Sequence, residues 1–254
     1  MRSGCSFFEV YMKRLINYFT RLELAIWLCS IALILASFLI FDRSGYLSMI
    51  SSLVGVTSLI LCAKGNPAGQ VLMILFSLLY GVISLGFRYY GEMITYLVMC
   101  APMAAFSLYT WIKNPFDKET REVKVNDIGR RDIILMLLLT AVVTVAFYFI
   151  LGALGNENLL VSTLSVATSF AAAYLTMKRS PYFALAYGFN DLVLIVLWSL
   201  AAFEDISYLS VVICFLVFLV NDTYGFISWI KMRRSQRESI ARSKISNGAE
   251  NTLQ

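Results

Sequence analysis

Tyr182–Lys231 reads YFALAYGFNDLVLIVLWSLAAFEDISYLSVVICFLVFLVNDTYGFISWIK. Two apolar runs, each long enough to cross a bilayer as a helix, flank one short acidic break at Glu204-Asp205. Each run holds an Asn-Asp pair followed at the same interval by tryptophan: Asn190-Asp191 with Trp198, and Asn221-Asp222 with Trp229. An ionisable group at bilayer depth costs about 2.5–3.5 kcal/mol by insertion scales, so it faces a cavity or a partner. Two such pairs on consecutive helices point to a polar pocket inside a membrane bundle.

Working outward, the rest of the chain has the same character. It is 59% hydrophobic and 15% charged, with a mean hydropathy of +0.73. A soluble domain of 254 residues has no core large enough for that much apolar surface. Eight spans are predicted, at Leu22–Phe41, Tyr46–Ala63, Ala68–Gly86, Glu92–Ile112, Ile133–Leu151, Leu159–Met177, Tyr182–Phe203 and Ser207–Ile230. The expectation is an all-α polytopic protein whose membrane domain covers residues 22–232. A basic, partly amphipathic lead-in (1–21) precedes it, and a polar tail (233–254), expected to be disordered, follows.

Placing both termini in the cytoplasm puts 19 of the 21 basic residues on that side and leaves only Arg43 and Arg88 outside. That is the positive-inside pattern. The charge of +5 therefore reports topology in a cell (inner or plasma) membrane, and nucleic acid need not be invoked. The five cysteines show neither metal spacing nor a disulfide framework, and the chain has no histidine. Histidine-based hydrolysis and His-Glu metal sites are excluded, and no cofactor is expected.

The spans also repeat. Lys64-x-x-Pro67 opens the third and Lys178-x-x-Pro181 the seventh, 114 positions apart. Thr110-Trp111-Ile112-Lys113 closes the fourth and Ser228-Trp229-Ile230-Lys231 the eighth, 118 apart. Residues 46–113 and 159–231 thus read as two three-helix copies, with span 133–151 as the linker and the first span as an extra helix. Both copies enter the membrane from the same side, and such parallel repeats place the substrate between the halves.

Helical geometry sorts the polar residues. Residues seven apart differ by about 20° in azimuth, so Asp191 shares a face with Trp198. Tyr187, Asn190, Asp191 and Trp198 form one strip, and Asn221, Tyr224, Gly225 and Ser228 another. Asn190 lies roughly 14 Å from the start of its helix, near the midplane. Tyr187, Asn190, Asp191, Trp198, Asn221, Asp222 and Tyr224 are the candidate substrate-binding residues. Trp111 and Trp229, each beside a lysine, read as interfacial anchors. Glu92 and Arg88 read as a solvated outer edge.

Tyr90-Gly91-Glu92, Pro102, Trp111-x-Lys113, Asn190-Asp191…Trp198, and Asn221-Asp222-Thr-Tyr224-Gly225-x-x-x-Trp229 with Gln236 resemble the PnuC-type nicotinamide riboside transporters over roughly residues 45–237. The resemblance implies a 3+1+3 core related to the SWEET sugar transporters, here with an extra amino-terminal helix. It implies facilitated diffusion of nicotinamide riboside, trapping by a cytosolic kinase on the way to NAD, and assembly as a homotrimer. Amide and aromatic side chains of a central cavity would hold the ring and the ribose. Relatives often carry amides in the third and fourth spans, where this chain has Phe76, Tyr96, Met103 and Ala104. Thiamine, riboflavin or a nucleoside therefore stays open as the cargo, as does a proton-coupled carrier using Asp191 and Asp222.

Overall fold

Every predicted span is a helix. In the computed structural model, which describes residues 18–86, 90–117, 121–156 and 158–251, these are α1 (Arg21–Phe41), α2 (Tyr46–Ala63), α3 (Ala68–Gly86), α4 (Tyr90–Lys113), α5 (Arg130–Ala153), α6 (Leu159–Met177), α7 (Phe183–Ala202) and α8 (Leu209–Asn251). Among the described residues all eight are long and apolar enough to cross a membrane, and no β-sheet forms. Without water to satisfy peptide groups, helices that close their own hydrogen bonds are the economical way across. Most of the lead-in, residues 1–17, and Arg88 lie outside the described residues.

The ends of the bundle differ in charge. Lys64, Lys113, Lys178 and Lys231 mark a basic end, whereas Asp42, Glu92, Glu204 and Asp205 lie at the opposite, acidic end. At the basic end α2 and α6 stop in the same way. Gly65 and Arg179 both take left-handed backbone (φ +63° and +56°), and the next residue donates back to the closing turn, Asn66 to Leu61 and Ser180 to Leu175.

Two matching clamps join the halves there. The Trp111 indole donates to the Thr176 carbonyl (2.9 Å), and Thr110 Oγ1 donates to that of Met177 (3.0 Å). In mirror order Trp229 donates to the Cys62 carbonyl and Ser228 Oγ to that of Ala63, both at 2.8 Å. Donors and acceptors are related by the sequence offsets of 118 and 114. This corrects the reading of the two tryptophans as interfacial anchors: both have 0% exposure. The indole N–H is spent on a carbonyl of the facing half, and beside-lysine spacing cannot tell that from a lipid-facing ring.

The charged α4–α5 connection seals this end. Val123 N–H donates to the Gly65 carbonyl and Asn126 N–H to that of Arg179, so one loop closes both helix ends. α8 does not end at the membrane. Where the sequence suggested a disordered tail after Met232, the helix runs on through Asn251, and Gln236 accepts from Val125 N–H while donating to Glu122 and the Val123 carbonyl. Those bonds and the Asp127 pairing with Arg233 and Arg237 give the polar helix a surface to lie on.

The two outlying helices are unequal. α5 packs mainly on α6, and Leu151 is its buried side chain. α1 packs on both α2 and α8. Thr20 caps it, with Glu23 returning to the Thr20 N–H, and the same Glu23 carboxylate binds Lys64 Nζ (3.0 Å) and the Tyr224 hydroxyl (3.0 Å). Lys178, the repeat mate of Lys64, pairs with Asp132 of α5 at 2.8 Å, which raises the lysine above its usual range.

Candidate substrate cavity

Between the aromatic core of the acidic half and the tryptophan clamp of the basic end lies a small cavity of about 40 Å³, polar on one wall, with room for a few waters. α7 supplies Tyr187, Asn190 and Asp191; α8 supplies Asp222; α6 supplies Ser169; α3 supplies Ser77. Phe76, Tyr96, Phe215 and Phe218 form its apolar wall. Among the described residues no lysine or arginine lines it. Asp191 and Asp222, both buried, interact directly, and one Asp191 oxygen has no hydrogen-bond partner.

Asn190 is held by α6: its carbonyl oxygen accepts from Thr168 Oγ1 (2.8 Å) and Ser169 Oγ (2.9 Å). Its carbonyl is thus engaged and its remaining capacity is as a donor. Thr168 and Ser169 were missed by the sequence reading, although Ser162, Ser165, Ser169 and Thr176 make a hydroxyl stripe at helical spacing. The positions matching Asn190 and Asp191 in the first half are Phe76 and Ser77, and they face the same cavity. One wall is polar and its counterpart mostly aromatic.

The structure does not gather all seven candidates. Tyr187, Asn190, Asp191 and Asp222 meet at the cavity. Asn221 turns to α1, donating to Ser30 Oγ (2.9 Å) and the Val217 carbonyl (2.8 Å). Tyr224 reaches Glu23 at the basic end. Residues 221, 224 and 228 do share a face, as their spacing says, but that face meets α1 and α2, while Asp222 turns to the cavity.

Trp198 stands nearer the acidic end. It packs against Tyr208 (5.5 Å between ring centroids) and Tyr80 (6.2 Å), and Tyr80 packs at a tilt against Tyr96 at 4.5 Å. These rings separate the cavity from the acidic end. Tyr96 and Cys100 belong to a π-helical turn, Thr95–Cys100, which widens α4 beside the cavity; such turns often mark functional sites. Glu92, one turn before Tyr96, is not solvated as its boundary position suggested: it is 5% exposed.

The sequence model for the nicotinamide mononucleotide transporters matches residues 45–231, from the start of α2 to the membrane end of α8. The chain belongs to this family. It is a multi-pass membrane transporter. The chain is 24% identical over 226 residues to the nicotinamide riboside transporter PnuC of Neisseria mucosa, covering 87% of this chain and 86% of that protein. To the PnuC of Haemophilus influenzae it is 24% identical over 189 residues, 74% of this chain and 80% of the relative. The crystal structure of a vitamin B3 transporter, PnuC, superimposes with a TM-score of 0.74 at 21% identity, covering 86% of this chain and 94% of the other. The family's fold is therefore that of this chain, and α1 lies ahead of the family match.

Proposed function

We propose that this transporter takes up nicotinamide riboside by facilitated diffusion, with its basic end in the cytoplasm. The observation that carries the reading is a cavity with two buried carboxyl groups and an aromatic wall, and no cationic side chain among its described lining. The pyridinium ring of the riboside is a permanent cation, which acidic and aromatic groups attract. The mononucleotide adds a phosphate, and the cavity offers it two carboxyl groups and no lysine or arginine to offset its charge. The names of the curated relatives agree with the riboside.

Asn190, Asp191, Asp222 and Tyr187 are the residues assigned to the substrate, with Trp198 on the approach. Asn190 suits the carboxamide or a ribose hydroxyl, and the aspartates suit the ring cation. A riboside needs far more room than the cavity offers, on the order of 300 Å³. Phe76, Tyr96, Phe215 and Phe218 must therefore swing aside during the cycle. Phosphorylation by a cytosolic kinase would turn the cargo into the species that the cavity rejects, so trapping follows from the same charges. The exposed apolar face of α5 is the surface on which a homotrimer would assemble.

Uptake of labelled nicotinamide riboside and of the mononucleotide into liposomes holding the purified protein tests the reading. The riboside should equilibrate without ATP, and the mononucleotide should not enter. Equal entry of both would overturn it. Thiamine, also a permanent cation, is the competitor that the charge pattern ranks above riboflavin and neutral nucleosides. The contact between Asp191 and Asp222 favours proton coupling as a second reading, and riboside accumulation driven by an imposed pH gradient would establish it.

A further inference from the structure

We infer that Glu92 anchors a second binding site, at the acidic end, which takes a flat organic cation before it reaches the central cavity. The inference rests on the reading of the cargo as a pyridinium compound. Glu92 lies in the first turn of α4, 5% exposed, and its Oε2 has no hydrogen-bond partner. It lines a separate cavity of about 30 Å³ together with Asn156, Asn158, Ser162, Trp198 and Glu204. A buried acceptor left unpaired is costly, and few survive in native proteins without a role. A bound cation removes that cost. Glu204, on the rim, adds a second negative charge.

The surroundings are built for a ring. Trp198 borders this cavity, and indole is the aromatic side chain that best attracts a cation. Gly91 lets the α5–α6 turn close over Glu92, because a Cβ there would stand 2.7 Å from Asn156 Oδ1 and 2.9 Å from Leu151 Cδ2.

The site also leads somewhere. Tyr96 and Cys100 follow Glu92 at one and two turns along α4, and both line the central cavity. The Trp198–Tyr80–Tyr96 rings stand between the two compartments. A cation held by Glu92 thus waits against the barrier it must pass.

The test uses the full-length protein in lipid nanodiscs and reads tryptophan fluorescence. The probes are the N-methylnicotinamide cation and nicotinamide, which keeps the ring and amide but has no charge. The cation should quench with saturation, and Trp198→Phe should remove most of the quench. Glu92→Gln should raise the half-quenching concentration tenfold or more, and Glu92→Asp less. Nicotinamide should quench far more weakly. Quenching of Glu92→Gln like the wild type overturns the inference. So does equal quenching of the wild type by both probes, a result that needs no variant to fold. If the wild type fails to transport the riboside but binds the cation through Glu92, the functional reading falls and the site stands. If the riboside is carried while Glu92→Gln quenches normally, the site alone falls.

Discussion

The indole rings of Trp111 and Trp229 meet at 5.3 Å, each donating its N–H to a helix-end carbonyl of the facing half. Phe183 packs edge-on against Trp229 at 4.8 Å and completes the contact. The pair locks the basic end, on the opposite side of the cavity from the Trp198–Tyr80–Tyr96 rings. A carrier that opens alternately to its two ends needs one barrier on each side of the cargo, and these clusters occupy those places.

Trp229→Phe and Trp111→Phe should each lower stability by about 1 kcal/mol, because each removes one of the two donors to a buried carbonyl that keeps its backbone N–H partner. The cost should be similar in the two variants, as the clamps are matched. The double variant should depart from the sum, since touching rings do not act independently. Thermal unfolding of the purified variants in detergent measures this. A loss confined to Trp229 would show that the two clamps are not equivalent.

The Glu23–Lys64 pair should behave as a buried one on the carboxylate side, since the Glu23 side chain is 4% exposed and that of Lys64 18%. Lys64→Met leaves the carboxylate with the Tyr224 hydroxyl and the Thr20 N–H and should cost about 3 kcal/mol, toward the low end for a broken buried pair. Adding Glu23→Gln to Lys64→Met should restore part of the loss, because the uncompensated charge is gone. A double-mutant cycle in thermal stability reads the coupling. Proteolysis of the α1–α2 connection reports whether α1 detaches.

Arg179 adopts the backbone that its counterpart Gly65 adopts without a Cβ. Left-handed conformation costs a non-glycine residue about 1–3 kcal/mol. Arg179 Nε is buried and has no hydrogen-bond partner, so the side chain returns little of that cost. Arg179→Gly should therefore raise the unfolding temperature by a few degrees. An unchanged or lower temperature would mean that the guanidinium matters more to this end than its bonds suggest.

How far the sequence reached follows from what kind of information each feature needs. Span boundaries depend on hydropathy along the chain, and α2, α3 and α6 coincide with their predicted limits. The partners of a helix face depend on which helix lies opposite, which period and composition do not encode. Asn190 and Asn221 illustrate the gap: both are amides beside an aspartate at similar depth, yet one faces the cavity and the other Ser30 of α1. Glu92 was misjudged for the same reason, since a boundary position does not reveal that the α5–α6 turn folds over it.

That divergence between the two asparagines gives the sharpest test of the cavity assignment. Asn190→Ala removes a donor from the cavity, and a hydrogen bond lost in a desolvated site typically costs about 1–3 kcal/mol. Affinity for nicotinamide riboside should fall roughly tenfold or more, since 1.4 kcal/mol is one decade. Thr168 and Ser169 lose their shared acceptor too, so a modest drop in stability should accompany it. Asn221→Ala should do the opposite: it loosens α1, lowering the unfolding temperature, and leaves affinity within about twofold. Binding titrations and melting curves on the same two purified variants separate the outcomes. If Asn221→Ala loses affinity while Asn190→Ala binds like the wild type, the substrate sits against α1, and the cavity between α7 and α8 is not its site.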